Sequence, residues 1–102
     1  PDTLKEAYRL RTHSATVAEA REKTRAFDLE GVAQDVTCSM FIIGGKEDRI
    51  TSYKDAERLG NEVSGPVVLM LIEGANHVAY NRGHMSKTQA ADWMAGHLGA
   101  IR

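Results

Sequence analysis

Phe41-Ile-Ile-Gly-Gly-Lys-Glu-Asp-Arg-Ile50 and Leu71-Ile-Glu-Gly-Ala-Asn-His77 are two apolar runs that each break at glycine and then deliver one acid-base side chain, Asp48 or His77. Traced outward, they extend into strands over residues 38–43 and 67–72, in which nearly every position is apolar. Such runs, rather than alternating ones, mark strands buried on both faces of a parallel sheet covered by helices. Residues 53–63 supply the crossover: Tyr53, Ala56, Leu59 and Val63 share a helical face, and Ser64-Gly65-Pro66 stops it. A strand, helix, strand unit is right-handed almost without exception, and ligands gather at the carboxyl ends of its strands. Asp48 and His77 both belong to that end.

The remaining segments read as helices. Residues 2–11 repeat Leu4, Ala7 and Tyr8 at helical spacing behind Asp2, a candidate N-cap. Thr16 with Glu19 forms a capping box, followed by Val17, Ala20, Thr24 and Phe27 on one face. Leu29, Val32 and Val36 make a partly turn-like connection around Gly31. Residues 86–101 close the chain as a helix with Ala90, Trp93, Met94, His97, Leu98 and Ile101 as its apolar side. The expected class is therefore α/β: two parallel strands with flanking helices and an N-terminal helical segment.

Composition narrows the function. The 102 residues are 42% hydrophobic and 26% charged, ordinary for one folded domain, with a formal charge of -1. There is no basic stripe for nucleic acid and no polybasic or roughly 20-residue apolar segment for a membrane. The single cysteine, Cys38, is expected as a small buried hydrophobe in the first strand. Together with the lack of a signal-peptide pattern, this fits a cytoplasmic protein. Pro1 in first place, without a methionine, suggests a processed or truncated piece of a longer chain.

A hydrolytic histidine accepts a proton through one ring nitrogen while the other donates to a carboxylate that fixes its tautomer. If residues 38–43 and 67–72 pair, the loops that follow them are neighbours, and Asp48 meets His77 across 29 positions of sequence. A lone Asp after two glycines is most often a loop or cap residue. The paired strand ends are what make a catalytic reading specific. Other polar residues weigh less. Glu47 is an alternative acid but reads as an exposed loop carboxylate. Gly44-Gly45-Lys46 lacks the first Gly and the Ser/Thr of a phosphate-cradling loop. His13, His84 and His97 have no ligand-spaced partners, so no metal or other cofactor is expected. Ser14, Ser39, Ser52, Ser64 and Ser86 all lack a Gly-x-Ser-x-Gly elbow, so the nucleophile is missing.

On these residues the chain resembles the α/β-hydrolase family, over about its last three quarters, from Leu29-Glu-Gly-Val-Ala to Asp92-Trp93. In that family the penultimate strand usually ends His-Gly-x-x-Asp, with the Asp as triad acid; here the stretch is Gly44-Gly45-Lys46-Glu47-Asp48, with Gly44 in place of the His. The family's catalytic His follows the last strand in a Gly-x-x-His turn, matched by Gly74-Ala75-Asn76-His77. The continuation Val78-Ala79-Tyr80-Asn81-Arg82 is most similar to the branch with a helical N-terminal cap, which includes 2,6-dihydroxypseudooxynicotine hydrolase and related esterases. The resemblance implies a cap-like segment over residues 1–28 and the C-terminal strand-helix-strand-helix portion of the hydrolase domain over 29–102. It implies an esterase-like or C–C bond hydrolase acting on a small molecule, with Asp48 and His77 catalytic. The isolated chain is expected to be inactive.

A non-catalytic α/β interaction module that self-associates is the alternative. Two parallel strands rarely suffice alone, and residues 38–43 offer an open apolar edge, so a homo-oligomer, most simply a two-fold dimer, is expected.

Overall fold

A computed structural model describes residues 1–99. The chain forms two compact units, Pro1–Glu30 and the part from Gly31 onward. The first holds two helices, α1 (Asp2–Arg11) and α2 (Val17–Thr24). Pro1, not Asp2, stands at the N-cap of α1. Thr16 caps α2 as its capping pattern predicts: Thr16 Oγ1 accepts from the Glu19 amide at 3.1 Å, while the Glu19 carboxylate reaches back to the Ala15 amide at 2.9 Å. Phe27 was expected on the buried face of this helix. Instead α2 ends at Thr24 and Phe27 is 81% exposed, because a two-helix unit has no third layer to cover it.

The second unit is mixed α/β. Its order is a 3₁₀ turn (Ala33–Asp35), β1 (Met40–Gly45), α3 (Tyr53–Glu62), β2 (Val67–Ile72), a 3₁₀-type segment (His77–Arg82) and α4 (Gly83–His97). The strands pair in parallel, Met40 opposite Val67 through to Gly45 opposite Ile72. Partners in register share a face of the sheet. Ile42 and Gly44, with Val67 and Leu71, therefore face α3, whose Ala56 and Gly60 lie against them. The other face carries Phe41, Ile43, Met70 and Ile72; Trp93 of α4 meets Phe41 at 5.7 Å between ring centroids, and Ala75 and Ala79 pack on Ile72.

Several boundaries move from their expected places. β1 begins two residues later than position 38 and runs through both glycines, because Gly44 and Gly45 still pair with Leu71 and Ile72. Cys38 consequently precedes the strand and is exposed rather than buried. The chain is held there by the turn after α3, where the amides of Ser64 and Gly65 both donate to the Val36 carbonyl at 3.0 Å. Full burial of both strands also fails: Val68 is 45% and Leu69 39% exposed, one on each face, since a single helix per face leaves the outer flank of β2 bare. On α4, Trp93 is half-buried, whereas Met94, His97 and Leu98 face solvent. That helix starts three residues earlier than expected, at Gly83; Ile101 lies outside the described residues. No helix among the described residues is long and apolar enough to cross a membrane.

Candidate active site at the strand ends

Two glycine-dependent contacts bring the loops after β1 and β2 together. A Cβ on Gly45 would stand 2.2 Å from the Asn76 carbonyl oxygen and 2.5 Å from that of Ala75, so only glycine lets the loop after β2 lie so close. Backbone bonds use this proximity: the Lys46 amide donates to Ile72 O at 3.1 Å and the Glu47 amide to Ala75 O at 2.9 Å. Gly74, at φ 69, makes the turn that follows β2. Lys46 and Glu73 add an ion pair at 2.7 Å, but Glu73 is largely in water and the pair contributes little.

Asp48 and His77 meet across this junction. His77 Nδ1 lies 2.9 Å from Asp48 Oδ2. The Asp48 carboxylate is otherwise held by its own loop: Oδ1 accepts from the amides of Ile50 at 2.7 Å and Thr51 at 3.0 Å, and Oδ2 also accepts from the Thr51 hydroxyl at 2.9 Å. The Asp48 side chain is only 6% exposed while that of His77 is 43% exposed. The carboxylate is thus enclosed and the imidazole has one side open.

Burial alone would raise the Asp48 carboxyl, but the Thr51 amide, then His77, the Ile50 amide and the Thr51 hydroxyl outweigh it and hold the group well below the ordinary carboxylate range. Asp48 is therefore ionised and acceptor-only at neutral pH, so Nδ1 must be the donor. Nε2 is left to take or give a proton. Because the folded carboxyl is the stronger acid, Asp48 stabilises the fold fully above its unfolded value, and this contribution is lost as pH falls through that value toward the folded one. Urea unfolding of wild type and Asp48→Asn should show the widest gap at about pH 7 and a steadily closing gap below about pH 4.

The His77 loop is tightly tied and strained. Asn76 and Asn81 exchange bonds: the Asn76 amide donates to Asn81 Oδ1 at 2.8 Å and the Asn81 amide to Asn76 Oδ1 at 3.3 Å, while Asn81 Nδ2 donates to Gly74 O at 2.8 Å. Directly after His77, Val78 and Ala79 both adopt left-handed backbone, at φ 54 and 53. Such a residue costs about 1–2 kcal/mol, and the β-branched Val78 is a particular outlier. The asparagine staple and the burial of Ala79 hold the segment in place.

Two clefts flank the imidazole. A small one of about 140 Å³ runs beside Asp48, Thr51, Tyr53 and Ala56; a more open one of about 370 Å³ is lined by Glu47, Arg49, Asn76 and Asn81. His77 is the residue common to both. Glu47 is exposed in its loop. His84 and His97 stand on α4, and His13 lies in the helical unit. Among the described residues no group of three or more His, Cys, Asp and Glu is placed to hold a metal ion.

Sequence reasoning passed over Thr51 and Asn81. Thr51 carried a readable signal, since an Asp followed two and three positions later by free amides is an Asx-type turn, and a hydroxyl at the third position closes it. Asn81 carried no comparable signal, because its partners depend on the left-handed kink at residues 78 and 79. No protein-family model, no curated protein and no solved structure matches this chain.

Proposed function

We propose that this chain carries the acid-base half of a serine-hydrolase site of the α/β-hydrolase type. His77 serves as general base and then general acid, and Asp48 fixes its tautomer and stabilises the imidazolium. The observation that carries this reading is a buried, ionised carboxylate bonded at 2.9 Å to one nitrogen of a half-exposed histidine. A structural Asp–His pair has no need to leave its imidazole part-exposed beside two clefts. The strand-end motifs and the parallel pairing of β1 and β2 support the family resemblance.

The substrate class is an ester or activated carbonyl. The nucleophile and the oxyanion donors belong to a segment outside these 102 residues, since none of the five serines sits in a Gly-x-Ser-x-Gly elbow. The chain by itself should not turn over an activated ester, and a fluorophosphonate probe should label no serine beyond the level of a denatured control. Stoichiometric labelling of one serine would overturn the assignment of the nucleophile to another segment.

The exposed apolar side chains Val68 and Leu69 favour a second reading, a small self-associating module, most simply a dimer. The two readings separate on the reading frame: a Gly-x-Ser-x-Gly segment encoded upstream of Pro1 supports the hydrolase, and its absence supports the module. Sedimentation at micromolar concentration reports the association itself, which a monomer throughout would rule against.

A further inference from the structure

The two oxygens of Asp48 have different partners. Oδ1 is spent on the loop's own amides, from Ile50 and Thr51. Oδ2 receives the Thr51 hydroxyl and His77 Nδ1, both at 2.9 Å. Rotation of a carboxylate about its Cβ–Cγ bond is soft and carries both oxygens together, so every donor on either oxygen helps to set the plane of the group. The Thr51 hydroxyl adds such a restraint on the oxygen that faces His77 and occupies one of its two lone-pair directions.

We propose that Thr51 is a positioning residue: its hydroxyl orients the Asp48 carboxylate so that the remaining lone pair of Oδ2 faces His77 Nδ1, which holds the imidazole as the Nδ1–H tautomer with Nε2 bare. No bond to substrate is involved. Thr51 acts on the reaction only through Asp48 and His77, and its purpose rests on the acid-base reading given above, whereas its test rests on geometry alone. Thr51 is exposed at the start of the turn into α3, so its side chain is open to substitution without removing core packing. Both Asp48–amide bonds are made by backbone and survive such a change.

The readout is the ring of His77 in the full 102-residue chain, labelled with ¹⁵N-histidine and observed by long-range ¹H–¹⁵N correlation at a pH where imidazole is neutral. Wild type should show the Nδ1–H form in excess. Thr51→Ser keeps the hydroxyl and should keep the wild-type ratio. Thr51→Val keeps the shape and loses the donor, and the ratio of Nδ1–H to Nε2–H should fall severalfold, by less than in Asp48→Asn, because the ionised Asp48 and its backbone bonds remain. Thr51→Ala gives the same comparison should the valine variant fail to fold by circular dichroism. An unchanged ratio in Thr51→Val, with a collapsed one in Asp48→Asn, would overturn the role of Thr51 and leave the Asp48–His77 pair standing. Loss of the ratio in Thr51→Ser as well would overturn it too, by assigning the effect to loop shape. A ratio unmoved even by Asp48→Asn would instead strike at the pair, and with it the functional reading.

Discussion

Replacing Gly45 by alanine should cost about 3 kcal/mol or more of stability and separate Asp48 from His77, although neither residue is touched. The added Cβ would meet backbone oxygens at 2.2 and 2.5 Å, and real Cβ contacts essentially never fall below 3.0 Å. A backbone carbonyl cannot rotate away as a side-chain tip does, so the loop after β2 has to retreat. Its retreat breaks the bonds from the Lys46 and Glu47 amides, which are what set the two loops side by side. For a unit of this size the loss corresponds to a fall in Tm of more than ~10 °C.

Gly44→Ala is the internal control. Its Cβ would meet Leu71 Cδ2 at 2.9 Å and Ala56 Cβ at 3.3 Å, and the first of these is the far end of a flexible side chain. The expected cost is nearer ~1 kcal/mol, with the Asp48–His77 bond retained. Thermal unfolding with the His77 ring spectrum checks both variants. Equal Tm values for Gly45→Ala and wild type would show that the close approach of the two loops does not hold the site together.

The parts of this fold that depend on local chemistry were legible. Apolar runs ended by glycine gave two strands, the helix between them required their pairing to be parallel, and parallel pairing set Asp48 and His77 in neighbouring loops. The Thr16 cap was legible for the same reason, since its donors lie within four residues. What periodicity does not encode is whether anything covers a face. Phe27, Met94 and Leu98 each fall on an apolar stripe, yet all three are exposed, because the sequence says which residues share a side and not what lies opposite. Strand ends were misread where glycine was taken as a stop: Gly44 and Gly45 continue the ladder because their partners Leu71 and Ile72 are already in register. Asn81 was passed over because its side-chain to backbone bonds follow the detailed turn geometry, which at residues 78 and 79 is left-handed and unusual for valine and alanine, whereas the Asp48–Thr51 turn was readable and missed.

The second large effect falls on catalysis. In a protein that carries this sequence together with a Gly-x-Ser-x-Gly segment, His77 would take the serine proton and return it to the leaving group, so its loss removes an interaction made only in the transition state. Asp48→Asn should be nearly as damaging. An amide at that position can present its NH₂ to the imidazole and favour the wrong tautomer, while the loop amides keep the geometry otherwise intact. The most direct measurement is therefore kcat and KM of that protein on an activated ester for wild type, His77→Ala and Asp48→Asn. A fall in kcat of about 10⁴-fold is expected for each substitution, with KM little changed. A kcat within about tenfold of wild type for His77→Ala, in a variant that still folds, would contradict the claim that Asp48 and His77 form a working acid-base pair.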